Sequence, residues 1–158
     1  MKHVIIGNGI AGLSAAETIR QNRGQDEILV ISNEKSPPYW RASLSKYITG
    51  VISQEKMSMK PEGWFEKLRI QQKSAKVEKI QSDQKKLEVT IEGEKQEISF
   101  DRLCIATGAQ PNRLSIPGND LPQVHLFRSM DDADALLKGL DEAKQMVVIG
   151  GGVLGMEA

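Results

Sequence analysis

His3-Val4-Ile5-Ile6-Gly7-Asn8-Gly9-Ile10-Ala11-Gly12 begins as an apolar run and breaks into glycines at the G-x-G-x-x-G spacing. The run is continuous and β-branched, which predicts a short buried strand over 2–6. Beyond it, Leu13, Ala16 and Ile19 or Arg20 recur at helical spacing, so a helix is expected from Gly12 to about Arg23, ended by Gly24. Glu27-Ile28-Leu29-Val30-Ile31 then reads as the second strand of a βαβ unit. In that setting the glycines have separate duties. Gly7 permits a tight turn off the strand, Gly9 lets backbone approach a pyrophosphate, and Gly12 lets helix and strand pack closely. The N–H groups at the helix start point at the phosphates, each such dipole contact being worth about 0.3–1 kcal/mol when exposed. Glu34 stands 22 residues beyond Gly12, just past the second strand, where a carboxylate can accept both hydroxyls of a ribose. Gly7, Gly9, Ile10, Ala11 and Gly12, with Asn33 and Glu34, are therefore candidate nucleotide-binding residues.

The same spacing recurs near the other end. Met146-Val147-Val148-Ile149 predicts a strand, and Gly150-Gly151-Gly152-Val153-Leu154-Gly155 follows it directly. Gly150, Gly152 and Gly155 are the second set of candidates. Two fingerprints imply two nucleotides and an electron path between them. The sequence ends at Ala158, before a second strand or a ribose-reading residue, so it is expected to be the front part of a two-nucleotide enzyme and does not separate NADH from NADPH.

Between the fingerprints the period changes twice. Pro37-Pro38 forces an extended start to an irregular stretch over 32–60, with a short helix around 43–49. Pro61 suits N1 of a helix running to about Leu68. From about Lys73 to Cys104 the pattern alternates, as in Ala75–Ile80 and Leu87–Ile91, with a turn at Glu92-Gly93-Glu94 and resumption at Ile98 and Phe100. This predicts a β-meander followed by a return strand over Arg102–Ala106. The lysines of 73–86 form its solvated face. Residues 112–122 hold two prolines, Pro117 and Pro122, with Gly118-Asn119-Asp120, and read as a linker. Met130–Leu140 has helical spacing, with Asp131 and Asp132 in its first turn.

Composition narrows the function. Lys plus Arg and Asp plus Glu are 21 each over 158 residues, so the basic excess expected of a nucleic-acid binder is missing. No apolar run approaches a membrane span, and the start does not resemble a signal peptide, so a cytoplasmic location is expected. Cys104 is the single cysteine, which excludes a cysteine pair within the sequence; in its apolar run it reads as a small hydrophobe. His3 and His125 lack partners at metal or triad spacing, so no metal site is expected. Trp40 and Trp64 read as packing groups.

Four features together resemble the two-dinucleotide flavoprotein reductases of the pyridine nucleotide–disulfide oxidoreductase superfamily. They are Gly7–Gly12 with Glu34, Pro38-Tyr39-Trp40-Arg41-Ala42-Ser43-Leu44-Ser45-Lys46, Ile105-Ala106-Thr107-Gly108-Ala109-Gln110-Pro111, and Gly150–Ala158, in the family's order. The second is similar to the branch of rubredoxin and ferredoxin reductases and the flavin part of NADH-dependent nitrite reductases. The resemblance implies an α/β fold: a Rossmann-like FAD-binding βαβ unit with an inserted β-meander, then the first strand and turn of a second Rossmann domain for NAD(P)H. The implied domains are 1–111 for FAD, a linker over 112–122, and the start of the nicotinamide domain over 123–158.

By the same resemblance, Gly9–Gly12 hold the FAD pyrophosphate and Glu34 the adenosine ribose. Arg41 lies near the flavin phosphates, the Val77 backbone meets the adenine, and Ala106, Thr107 and Gly108 run beside the cofactor. Lys46 and Glu157 correspond to an ion pair at the flavin, which tunes its potential. Trp40 lies in the flavin-facing segment. The segment Arg41–Gly50 lacks the redox cysteines of the disulfide reductases. The implied activity is hydride transfer from NAD(P)H to FAD, then electron transfer to a rubredoxin-, ferredoxin- or nitrite-reductase-like centre, or to a small molecule, as a homodimer or with a partner chain. The competing expectation is a non-catalytic FAD-binding fragment that needs a partner chain or further domains.

Overall fold

A computed structural model describes residues 1–140 and 143–157; Ala158, at the end of the Gly150–Ala158 stretch, lies outside them. The described chain divides into two compact units, one of residues 1–39 and 59–108, the other of 40–58 and 109–158. The stretch 40–58, placed by sequence within a 1–111 domain, thus clusters with the later residues.

The first unit is built on a parallel sheet. Strand β1 (Lys2–Ile6) leads through helix α1 (Ile10–Asn22) to β2 (Glu27–Ser32). Helix α3 (Trp64–Lys67) precedes β3 (Gln71–Ser74), and β7 (Arg102–Ile105) closes the unit. The sheet order is β3-β2-β1-β7, all parallel, with Ile5 opposite Val30 and Cys104. Between β3 and β7, the chain forms an antiparallel meander of β4 (Lys76–Gln81), β5 (Lys86–Ile91) and β6 (Glu94–Ser99).

Both faces of the parallel sheet are covered, which is why its central strands read as continuous apolar runs. Val4, Ile6, Leu29 and Ile31 face the meander and pack with Ala75, Leu87, Val89 and Ile98. Ile5, Ile28 and Val30 face the helices and pack with Leu13, Ala16, Trp64, Phe65 and Ile70. Period-two alternation sends neighbours to opposite faces. The meander needs only one apolar face, so its other face carries the charges. Cys104 is partly buried against the helical cluster, as its apolar run suggested. His3 is tied to Asp26, and no metal-binding group of side chains occurs among the described residues.

The second unit is helical. It holds α2 (Leu44–Ile48), α4 (Met130–Leu140) and α5 (Val153–Glu157). Ser129 caps α4: its Oγ accepts the Asp132 N–H at 3.2 Å, while Asp132 Oδ2 accepts the N–H groups of Arg128 and Ser129. This is a reciprocal capping box.

Three local expectations are corrected. Pro61 does not start α3, which begins at Trp64. Gly63 intervenes in the left-handed region at φ 74°, which a right-handed helix excludes. The meander begins at Lys76 and not at about Lys73: Lys73 and Ser74 end β3, an edge strand of the parallel sheet that pairs Leu29 with Gln71. Finally, Met146–Ile149 forms no ladder among the described residues and is exposed, Val147 at 85%. A strand exists only against a partner, and no described segment pairs with this one.

Candidate functional site

The turn between β1 and α1 shows why its glycines are needed. Gly7 has φ 110°, in the left-handed region, and a Cβ there would run into the Ala106 carbonyl. Its N–H donates to Ile31 O at 2.7 Å, extending the β1–β2 pairing by one bond. A Cβ on Gly12 would collide with the Gly7 carbonyl and approach Ile5 Cγ2 to 3.3 Å. These two glycines are therefore required by the protein's own packing. Gly9 differs: a Cβ there would meet no atom within 4 Å. Its φ of −75° suits any residue. Packing gives Gly9 no reason to be glycine, and the open space in front of it is where an outside group can approach the backbone.

The first intrahelical bond runs from Leu13 N–H to Gly9 O at 2.9 Å. The N–H groups of Ile10, Ala11 and Gly12 precede that ladder, so α1 leaves them for another acceptor. No acid lies in the first turn to compete for them. Open backbone, unused donors and the positive end of a 13-residue helix fit the pyrophosphate of a dinucleotide.

Glu34 stands past the end of β2, as the spacing predicts. Its N–H donates to Ser32 Oγ at 3.1 Å, and its Oε2 accepts the Tyr39 hydroxyl at 2.8 Å. Asn33, beside it, is exposed. Ala106 follows β7, its N–H bonded to Ile6 O at 2.8 Å, and Thr107 and Gly108 continue from there. The crowding of Gly7 against Ala106 brings this crossing segment directly to the fingerprint. Val77 lies in β4 next to a bulge: it pairs with Val89, and the next pair is Lys79 with Glu88. Bulges re-aim the strand locally. Gly7–Gly12, Asn33, Glu34, Val77 and Ala106–Gly108 thus share one unit.

Arg41, Lys46 and Glu157 belong to the other unit. Arg41 Nη1 donates to Arg128 O at 3.1 Å, and both arginines line a small recess with Ala42, Leu44, Ser45 and Phe127. Arg128 was not singled out from sequence; the signal was its place immediately before the Ser129–Asp132 cap. Lys46 is exposed on α2. The ion pair expected between Lys46 and Glu157 is not formed among the described residues; Glu157 Oε2 instead accepts from Ser45 Oγ at 3.4 Å. Next to Lys46, Tyr47 donates to Asp134 Oδ1 at 2.8 Å, which ties α2 to α4. That bond to a carboxylate, helped by burial, raises the Tyr47 phenol above its usual range.

The second glycine motif repeats the first in miniature. Gly150 has φ 124°, a Cβ on Gly155 would strike the Gly150 carbonyl, and Val148 takes the place Ile5 holds beside Gly12. Met156 N–H bonds to Gly152 O at 3.0 Å, and a Cβ on Gly152 would meet nothing within 4 Å. The turn geometry is thus written in the glycines themselves, independent of any strand pairing at 146–149.

The comparisons with known proteins agree with this construction. The family described as pyridine nucleotide-disulphide oxidoreductase matches residues 1–158. The chain is 35% identical to the rubredoxin-NAD(+) reductase of Ectopseudomonas oleovorans, over 99% of this chain and 40% of that protein. It is 34% identical to the assimilatory nitrate reductase electron transfer subunit of Bacillus subtilis, over 98% of this chain and 20% of that protein. Among solved structures, the NADH:rubredoxin oxidoreductase of Clostridium acetobutylicum matches with a TM-score of 0.85 at 31% identity, covering 99% of this chain and 40% of that one. The chain therefore spans well under half the length of these relatives. With its whole length matched by the family model, the chain belongs to the pyridine nucleotide–disulphide oxidoreductases.

Proposed function

We propose that this chain is the FAD-binding front part, with the entry to the nicotinamide site, of an NAD(P)H-dependent oxidoreductase that passes electrons to a separate acceptor. The observation that carries this reading is the open backbone at Gly9 ahead of three unused α1 donors, with Glu34 placed past β2. When bound, FAD supplies the exchange between a two-electron nicotinamide donor and one-electron acceptors.

The chain's own residues have simpler tasks. Ile10, Ala11 and Gly12 N–H groups bind the pyrophosphate, and the glycines keep Cβ atoms out of its way. Glu34 accepts the ribose hydroxyls, with Asn33 beside it. Val77 and Ala106–Gly108 border the adenine and the body of the cofactor. Arg41 supplies positive charge to the phosphates. Lys46 supplies it to the reducible ring, where a cation raises the reduction potential, and Glu157 moderates it. Gly150, Gly152 and Gly155 receive the nicotinamide nucleotide in the same manner as the first turn.

The acceptor is proposed to be a small redox protein of the rubredoxin or ferredoxin kind, or a nitrogen-oxide reductase centre. The names of the relatives support this, as does the lack of cysteine in Arg41–Gly50. Among the described residues no helix is long and apolar enough to cross a membrane.

The test is a visible spectrum of the purified chain before and after anaerobic NADH. A flavin band bleached by NADH supports the whole reading. A yellow protein that NADH leaves unchanged reduces it to FAD binding. A colourless protein that takes up no added FAD overturns it.

A further inference from the structure

The geometry points to Tyr39 as the residue that positions Glu34 for an unphosphorylated ribose, an inference that rests on the FAD reading of the first turn. A glutamate just past the end of a strand has three rotatable bonds, so ordering it costs side-chain entropy. Here that ordering is done in the protein itself. The Glu34 backbone is held by Ser32 Oγ at 3.1 Å, and its carboxylate by the Tyr39 hydroxyl at 2.8 Å. Tyr39 is only 7% exposed, so its ring is set by packing. The chain leading to it is stiffened by Pro37 and Pro38, and Pro38 O accepts the Met59 N–H at 2.9 Å.

The chemistry of the pair fits a cis-diol. A carboxylate accepts hydrogen bonds and donates none, so the group that takes the phenol also suits the hydroxyls of a ribose. A phosphate in place of either hydroxyl would bring an anion against a carboxylate that Tyr39 keeps from swinging aside. The phenol thus adds both affinity and selectivity without touching the cofactor, which makes Tyr39 a positioning residue.

The test is FAD binding measured by flavin fluorescence with the full chain, Tyr39→Phe, Glu34→Ala and the double variant, with thermal midpoints recorded without FAD. Tyr39→Phe keeps the ring and is expected to fold, with FAD bound about tenfold more weakly, the scale of one hydrogen bond to a charged group. In the Glu34→Ala background the same change is expected to do nothing further. Equal affinity of Tyr39→Phe and the unsubstituted chain overturns this inference alone. So does a tenfold loss that persists without Glu34, since Tyr39 would then act by another route. No FAD binding by the unsubstituted chain overturns both this inference and the site reading beneath it.

Discussion

Gly9 and Gly12 are one turn apart in a single motif, yet physics asks different things of them. A Cβ at Gly12 meets the Gly7 carbonyl, so Gly12→Ala must shift the turn. It is expected to cost about 1–3 kcal/mol of stability, as overpacking does, and to weaken FAD binding as well. A Cβ at Gly9 meets no protein atom within 4 Å. Gly9→Ala should leave the unfolding midpoint within about 0.5 kcal/mol of the parent and still lower FAD affinity at least about tenfold. Denaturant unfolding and FAD titration on the two variants separate a packing glycine from a ligand glycine. At the other end of β1, Asp26 carries a pH dependence. Its Oδ2 is 2.8 Å from His3 Nε2 and its Oδ1 3.0 Å from the Met1 amine. The His3 bond, then the amine, hold its carboxyl below the usual 3.8. A depressed carboxyl stabilises the fold above its unfolded value and loses that contribution as pH falls through its folded value. Asp26→Asn should therefore lower stability at neutral pH and flatten the acid limb below about pH 4. Unfolding midpoints across pH 2–7 check it, and parallel curves for both proteins would defeat it.

Elements are tied to each other by backbone carbonyls as much as by cores. Arg20, near the end of α1, reaches Leu68 O at 2.6 Å, Arg69 O at 2.8 Å, and Gly24 O and Asp26 O at 2.9 Å. One guanidinium thus joins α1, its turn into β2, and the link from α3 to β3. Lysine cannot copy that planar fork. Arg20→Lys is expected to cost about 1–3 kcal/mol in denaturant unfolding, although charge is kept. From sequence, Arg20 was legible only as a helical position. The elements that were legible have a strong period or a breaker: β1 and β2 by continuous apolar runs, the meander by alternation, α4 by spacing and its acids. β3 was not, because Gln71-Gln72-Lys73-Ser74 has no apolar face and becomes a strand only by pairing with β2. Met146–Ile149 shows the converse, an apolar strand pattern with no described partner. For the site, the fingerprint and Glu34 were readable because local turn chemistry and spacing decide them. Tyr39, five residues from Glu34, and Arg128, 87 residues from Arg41, depend on side-chain directions that periodicity does not encode.

On the scale of the whole molecule, binding and folding are one equilibrium. The first unit contains two apolar cores and a glycine turn whose shape is set by its own packing, and the proposed FAD site is built on them. A ligand that binds only the folded chain adds RT ln(1 + [L]/Kd) to stability, about 2.7 kcal/mol at a hundredfold excess over Kd. FAD at that excess should raise the thermal midpoint of the chain by several degrees, by the usual conversion for a protein of this size. NAD⁺ at the same concentration should raise it less, on the proposal that the first turn takes FAD. Gly9→Ala, folded but blocked, should show almost no response to FAD at the concentration that stabilises the parent. Thermal scans of both proteins with each nucleotide decide the matter. A larger shift with NAD⁺ than with FAD would reassign the first turn to the nicotinamide nucleotide. An equal FAD shift in the Gly9→Ala variant would move the FAD site away from α1.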